Sequence, residues 1–197
     1  MSDDPLGPDP LREEPLDSTV VHQGRYLTFR IDHVRTPAGR RARREIVGHP
    51  GAVAIVALDA ERRVLMVRQW RHAAGRSLLE IPAGTLDRDA DGSTEDPDLA
   101  APRELEEETG HRAATWRKLG TFWTAPGFAS ELMHLYLARD LELAGDDRLT
   151  PDQDEELVLE RVSIPEALAL LDSGAIADAK SVAGILWADR IVRSDEG

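Results

Sequence analysis

Four glutamates stand within five positions in the run Arg103-Glu104-Leu105-Glu106-Glu107-Glu108. Glu104 and Glu108 are four residues apart, so on a helix they would share one face, with Glu107 beside them. Carboxylates gathered in this way repel one another, and their oxygens are the ligands that Mg²⁺ and Mn²⁺ prefer. Arg103 can pair with Glu107 one turn on and hold it oriented. The spacing predicts a divalent metal site on a helix, and a solvated acidic helix face is the alternative.

Neighbouring residues can begin and end that helix. Asp96 suits the N-cap and Pro97 the first helical position, while Gly110 can end the helix in a left-handed conformation. Pro102 is an obstacle, because a proline inside a helix loses a hydrogen bond and costs ~3 kcal/mol. Either the helix kinks there or its regular part starts at Pro102, and both alternatives leave the glutamates helical.

The wider pattern is Gly84-x10-Glu95-x7-Arg103-Glu104-Leu105-x-Glu107-Glu108-x-Gly110. It resembles the Nudix box, G-x5-E-x7-R-E-U-x-E-E-x-G-U, in which U is an aliphatic residue. The chain departs from the box at two places. The loop between Gly84 and Glu95 is five residues longer, and His111 occupies the final aliphatic position. The chain is identified as a member of the Nudix family, which implies an α/β (α+β) fold: an α/β/α sandwich with a mixed β-sheet.

The resemblance also implies the chemistry, which is hydrolysis of a nucleoside diphosphate linked to another moiety with Mg²⁺ or Mn²⁺ as cofactor. The metal ligands carried over by position are the backbone carbonyl of Ala83 and the side chains of Glu104, Glu107 and Glu108. Glu107 would be either a third carboxylate ligand or a group that orients water. Glu95 and Arg103 would be structural members of the box.

Segments outside the box resemble the ADP-ribose pyrophosphatase branch of the family. They are Arg68-Gln69-Trp70-Arg71, Glu80-Ile81-Pro82-Ala83-Gly84, the stretch 124–131 and the stretch 178–184. This resemblance implies Mg²⁺-dependent hydrolysis of ADP-ribose to AMP and ribose 5-phosphate. A broader nucleoside diphosphate-sugar hydrolase is one alternative. A catalytically silent ADP-ribose or nucleotide sensor is another, although such sensors generally lose the box glutamates that this chain retains.

Two arginines are candidate substrate-binding residues. Arg71 can clamp a phosphate, since a guanidinium bonds phosphate through two nitrogens, and Arg44 lies in the N-terminal segment. For Trp70, packing in the core is favoured over stacking on adenine.

The general base is expected among three acidic residues. Glu155, in the acidic run 152–156, is the first candidate, followed by Glu131 and then Glu107 within the box. A solvated loop is the alternative interpretation of the run 152–156.

Composition limits the classes of function. The 197 residues are 41% hydrophobic, which suits one globular domain, and no apolar run is long enough to span a bilayer. Without cysteine, the chain has no disulfide, thiolate metal site or catalytic thiol, and a cytoplasmic location is expected. A formal net charge of -13 argues against nucleic-acid binding but permits a small phosphorylated substrate.

The elements that position these residues follow from periodicity and turn residues. Residues 1–17 are predicted to be a disordered tail, residues 18–47 an N-terminal β segment and residues 48–197 the Nudix hydrolase domain. Strands are predicted over residues 26–31, 44–47, 51–58, 64–70, 132–141 and 157–164. Helices are predicted from residue 97 through the glutamate run and over residues 165–172 and 180–192. The resemblance also implies a homodimer, because in the relatives the N-terminal strands help to form one and the second subunit binds part of the substrate.

Overall fold

The computed structural model describes residues 9–88, 92–150 and 156–194. The chain divides into two compact units. One comprises the chain up to Pro50 together with Ala125–Glu131. The other, larger unit comprises Gly51–Thr124 and the chain from Leu132 onward.

The smaller unit is built on a three-stranded antiparallel sheet in the order β1-β2-β3. Its strands are β1 (Glu14–Gln23), β2 (Thr28–Arg35) and β3 (Arg41–Gly48). Because β1 begins at Glu14, residues 14–17 belong to a strand and not to the predicted tail. Their partners are distant in sequence: Arg35 Nε donates to Glu14 at 2.9 Å, and His33 Nδ1 lies 2.7 Å from Asp17. The composition of residues 14–17 does not predict these contacts.

Residues 36–39 form the turn between β2 and β3, where Gly39 N donates to Thr36 O at 2.8 Å. Gly39 has φ 77°, a left-handed conformation that favours glycine. Residues 125–131 attach to the end of β3, since Val47 N donates to Phe128 O at 2.7 Å and Ser130 N donates to Val47 O at 3.0 Å.

The larger unit contains a seven-stranded mixed sheet. Its strands are β4 (Ala52–Leu58), β5 (Arg63–Arg71), β6 (Arg76–Glu80), β7 (Ala83–Thr85), β8 (His111–Trp123), β9 (Leu132–Leu143) and β10 (Val158–Ser163). The order is β10-β5-β4-β9-β8, with β6 paired to β5 and β7 paired to β4. Strands β4 and β9 are parallel, and the other pairings are antiparallel. The four strands predicted in this part of the chain are confirmed, whereas β6, β7 and β8 were not predicted.

Helices cover both faces of this sheet. They are α1 (Pro97–Thr109), α2 (Ile164–Asp172) and α3 (Ala179–Ser194). Strand β4 is wholly buried and its residues alternate between two cores. Ala54 and Val56 face the core that holds Ile185 of α3, while Val53 and Ile55 face the core that holds Leu105 of α1. The arrangement confirms the predicted α/β/α sandwich with a mixed sheet.

All three predicted helices are present, with ends within two residues of the predictions. Helix α2 begins at a capping box, in which Ser163 and Glu166 exchange side-chain to backbone hydrogen bonds. Among the described residues, none of the helices is long and apolar enough to cross a membrane.

Candidate active site

The glutamates lie on a continuous helix whose ends match the sequence prediction. Asp96 caps α1 by accepting a hydrogen bond from Asp98 N at 2.9 Å. At the other end, Gly110 has φ 67°, and its N–H donates to Glu106 O at 2.8 Å. The helix begins at Pro97 and runs through Pro102, so a start at Pro102 is wrong. Pro102 lies on the exposed side of the helix, and its ring therefore does not displace core residues.

Arg103 gathers three of the box carboxylates. Its Nη2 bonds Glu95 at 2.7 Å, and its Nη1 lies 2.8 Å from both Glu104 and Glu107. The predicted pair of Arg103 with Glu107 is confirmed. The hydrogen bond from Arg103 holds the pKa of Glu95 below its ordinary value, and the same bond together with the charges of Glu104 and Glu107 raises the pKa of Arg103. The positive charge of Arg103 thus reduces the repulsion among the glutamates.

Hydrogen bonds join the two ends of the longer loop before Glu95. Glu95 N donates to Asp87 O at 2.9 Å, Asp87 N donates to the Glu95 carboxylate at 3.2 Å, and Arg88 pairs with Thr94 in an antiparallel bridge. Residues 87–88 and 94–95 therefore lie beside each other at the two ends of the loop. Glu95 reaches Arg103 in spite of the insertion.

Strand β7 is the surface against which two predicted ligands pack. A Cβ atom added at Gly84 would lie 1.8 Å from Cδ of Glu104, so any larger residue there would require the Glu104 carboxylate to move. Ala83 N donates to the Glu108 carboxylate at 3.0 Å. The structure thus brings together Ala83, Glu104 and Glu108, with Glu107 joined to Glu104 through Arg103.

The donor chemistry of these residues fits a hard divalent cation, since carboxylate and carbonyl oxygens are its preferred ligands. The positions of their side chains fit such a cation less well than their chemistry does. In the described part of the chain, no three acidic or histidine side chains are gathered in a group that could hold a metal ion. Glu104 and Glu107 share Nη1 of Arg103, whereas Glu108 accepts a hydrogen bond from Ala83 N, so Glu108 has a different partner from the other two. Rotation of these side chains is needed to bring them around one ion.

A cleft of about 750 Å³ opens beside the last turn of α1. Its lining includes Glu107, Glu108, Arg148, Glu156 and Trp70. Trp70 is 60% exposed, so the prediction that it packs in the core is wrong. The reason is its place near the end of β5, beyond the last fully buried residue of that strand.

Arg71 is engaged by a buried acid. Its Nε and Nη2 donate to the two carboxylate oxygens of Glu80 at 2.9 and 2.7 Å. Glu80 is 1% exposed and also accepts a bond from Lys180 Nζ, which in turn lies 2.9 Å from Asp178. Sequence reasoning assigned no role to Glu80 or Lys180. The sequence does carry one signal of their role, since Glu80 stands between the apolar residues Leu78-Leu79 and Ile81. An acid in an apolar run can be buried with its neighbours, and a buried charge requires a partner.

His111, at the position where the box has an aliphatic residue, is 6% exposed and has both ring nitrogens engaged. Nδ1 lies 2.8 Å from Thr109 O and Nε2 lies 3.2 Å from Arg161 Nη2. A carbonyl accepts and a guanidinium donates, so the ring carries its proton on Nδ1. The substitution is accommodated at the end of α1 through bonds to Thr109 and Arg161.

The remaining predicted site residues are Arg44, Glu131 and Glu155. Arg44 bonds Glu13 at 3.1 Å, and Glu131 lies 3.5 Å from His49; all four belong to the smaller unit. Burial lowers the pKa of His49 although the charge of Glu131 acts in the opposite direction. Glu155 lies outside the described residues.

Comparisons with known proteins identify the family of the chain. The NUDIX domain matches residues 48–184. The ADP-ribose pyrophosphatase of Bacillus subtilis (strain 168) is 38% identical over 90% of this chain and 92% of its own length. The ADP-ribose pyrophosphatase of Mycobacterium tuberculosis is 40% identical over 88% of this chain and 81% of its own length. A methanol dehydrogenase activator of Bacillus methanolicus is 38% identical over 89% of this chain and 91% of its own length.

Among solved structures, one described as an ADP compounds hydrolase superposes with a TM-score of 0.79 at 22% identity, covering 93% of this chain and 96% of that one. It supports the fold. Fold, box and domain match together define the class: this chain belongs to the Nudix hydrolase family. Within the family it falls in the ADP-ribose pyrophosphatase branch, as the segments outside the box predicted.

Proposed function

We propose that the protein hydrolyses the diphosphate of ADP-ribose to AMP and ribose 5-phosphate with Mg²⁺, or Mn²⁺, as cofactor. The observation that carries the proposal is the presence of Glu104, Glu107 and Glu108 on α1 in a chain 38% identical to an ADP-ribose pyrophosphatase over 177 residues. The neighbouring cleft of about 750 Å³ has room for a sugar nucleotide.

Glu104, Glu107, Glu108 and the carbonyl of Ala83 are the residues that would hold the cation. When bound, the cation neutralises the diphosphate and lowers the pKa of water. Arg103 keeps Glu104 and Glu107 on one side of α1 through bonds of 2.8 Å. Glu95 fixes Arg103 in turn through its own bond of 2.7 Å.

Residues of the chain would also orient the substrate and accept the proton of the attacking water. Arg71 and Arg44 are the proposed phosphate ligands, because guanidinium groups bond phosphate oxygens strongly. The proton acceptor is proposed to be Glu155, with Glu131 and Glu107 as the other candidates. A carboxylate can take this role when it lies within hydrogen-bond reach of the water.

The test is a substrate panel with Mg²⁺ and with Mn²⁺, followed by chromatography of the nucleotides. We expect AMP from ADP-ribose at a higher kcat/KM than for any other sugar nucleotide. Absence of AMP, with cleavage of another sugar nucleotide, would support the broader hydrolase instead. Binding of ADP-ribose without turnover at any metal concentration would identify a sensor.

The predicted homodimer and the cytoplasmic location are retained as parts of the proposal. The dimer is supported by the exposed apolar side chains of β1, namely Leu16, Val20 and Val21. The substrate is a small phosphorylated molecule, consistent with the domain match and a net charge of -13.

A further inference from the structure

Four charged side chains form a network where β5, β6 and the beginning of α3 meet. Arg71 ends β5, Glu80 ends β6, and Lys180 lies in the first turn of α3 just after Asp178. Glu80 bonds both Arg71 and Lys180, and Lys180 bonds Asp178. The side chains of Glu80, Lys180 and Asp178 are 1%, 11% and 15% exposed. The network pairs two cations with two anions and is largely closed to solvent.

Packing alone does not require a carboxylate at position 80. Leu79 and Ile81 on either side belong to the apolar core, whereas Glu80 is buried beside Arg71 and Lys180. A buried ion pair is often no more stabilising than apolar residues of the same size, because both charges lose their hydration. Burial on its own would raise the pKa of Glu80, but bonds from Arg71 and the charge of Lys180 hold it below its ordinary value. Glu80 is therefore an anion at neutral pH, and its bonds hold Arg71 and Lys180 in fixed orientations.

The geometry of Arg71 shows what is oriented. Glu80 bonds Nε and Nη2, which form one edge of the guanidinium, and Nη1 is the nitrogen that Glu80 does not bond. The Arg71 side chain is 40% exposed, so part of it is open to solvent. The hydrogen bond with Glu80 raises the pKa of Arg71, and the charges of Glu80, Glu108 and Asp178 add to the effect. Arg71 is thus within electrostatic reach of Glu108, a proposed metal ligand.

We propose that Glu80 is a positioning residue: it clamps one edge of Arg71 so that Nη1 is presented to a phosphate of the substrate. Lys180 bonds the same carboxylate and fixes the clamp to α3. This inference rests on the proposed function, and it assigns Arg71 a single-nitrogen contact in place of the two-nitrogen clamp predicted from the sequence. A side chain held in advance loses less freedom when the substrate binds.

The test is a double-mutant cycle of Glu80→Gln and Arg71→Ala, with kcat and KM measured for ADP-ribose at saturating Mg²⁺. Wild type must first release AMP. We expect Glu80→Gln to raise KM roughly tenfold with kcat changed less than about threefold, since binding and not the chemical step is affected. Arg71→Ala should raise KM at least as much. The double variant should be no worse than Arg71→Ala, because Glu80 acts through Arg71.

Two further variants separate orientation from folding. Glu80→Asp keeps the charge but shortens the side chain, so KM should rise while the melting temperature falls less than for Glu80→Gln. Asp59→Asn is the matched control, because Asp59 pairs with Arg63 at 2.8 Å at the opposite end of β5, and it should leave KM unchanged. Multiplicative effects in the double variant, or an unchanged KM for both Glu80 variants, would overturn the inference alone. Absence of AMP from wild type would overturn the proposed function and the inference with it.

Discussion

At the scale of single residues, Arg103 determines how the acidic face of α1 is arranged. It bonds Glu95, Glu104 and Glu107 at 2.7 to 2.8 Å, which a guanidinium with five N–H donors can do and an ammonium group cannot do in the same plane. The sequence showed the repulsion among the glutamates and one of these pairs. It could not show that the same nitrogen serves two carboxylates, because that depends on the rotamers of three side chains.

The general base can be found by replacing Glu131, Glu155 and Glu156 singly with glutamine. Each replacement keeps the size of the side chain and removes its ability to accept a proton. We expect one variant, Glu155→Gln first, to lower kcat by at least about tenfold, with KM for ADP-ribose little changed. Steady-state kinetics with ADP-ribose and Mg²⁺ provide the measurement. If no variant reaches this threshold, the base lies elsewhere, and Glu107 is the next residue to replace.

Acid should weaken the protein through Glu95. Its pKa in the folded state is held below the ordinary value of 4.5 by the bond from Arg103. A depressed pKa contributes stability above the unfolded value, and this contribution is lost as the pH falls through the folded value. Glu95→Gln should therefore melt at a lower temperature than wild type at about pH 6, and the difference should shrink below about pH 4. A difference that stays constant across this range would contradict the role of the charge.

At the scale of elements, the contact of β7 with α1 is where a single added methyl group would displace Glu104, a proposed metal ligand. Alanine at Gly84 would place Cβ 1.8 Å from Cδ of Glu104, so the carboxylate must move. We expect Gly84→Ala to lower kcat by roughly 100-fold and to raise the Mg²⁺ concentration needed for half-maximal activity, because small displacements of catalytic groups have large effects. Titration of activity with Mg²⁺ measures both changes.

Gly48→Ala is the matched control for that substitution. A Cβ at Gly48 would lie 3.4 Å from its nearest neighbour, an ordinary contact, and the residue has no positive φ. It should retain the activity and metal response of wild type. Full activity of Gly84→Ala would mean that Glu104 can leave this position without cost, which would argue against its role as a ligand.

The elements that the sequence predicted correctly carry strong local signals. Strand β4 is a continuous apolar run, and α1 begins with Asp96-Pro97 and ends at Gly110. Strand β8 was missed because exposed and half-buried residues are mixed along it, and its conformation depends on pairing with β9. Strands β6 and β7 were missed because they are short and are separated only by Ile81-Pro82, so neither shows a repeating pattern of apolar residues. Their conformation depends on hydrogen bonds to β5 and β4, which the sequence does not show.

At the scale of the whole molecule, a chain with a net charge of -13 must bind an anionic substrate. The local sign can be reversed by Arg71 and by a bound cation, since a bound ion is often the largest charge in its site. Arg44 and Glu131 belong to the smaller unit, whereas Arg71 and the box glutamates belong to the larger one. A sequence pattern identifies each group but does not give the relation between units.

Assembly into a homodimer is the prediction that belongs to this scale. Strand β1 is the edge of its sheet, and all its residues are exposed, including Leu16, Val20 and Val21. An exposed edge strand with apolar side chains is a surface that another chain can cover. We expect light scattering to give the mass of two chains at micromolar concentration and Val20→Lys to shift the protein toward the mass of one chain.

Thr19→Lys provides the control, because Thr19 and Val20 are adjacent on β1 and their side chains point to opposite faces of the sheet. If the face of β1 that carries Val20 forms the interface, Thr19→Lys should leave the mass at two chains, although it adds the same charge to the same strand. Equal effects of the two lysines would indicate that charge near the edge, and not loss of an apolar contact, disrupts assembly. A wild-type protein with the mass of one chain would refute the dimer, and the site would then have to bind its substrate with residues of one subunit.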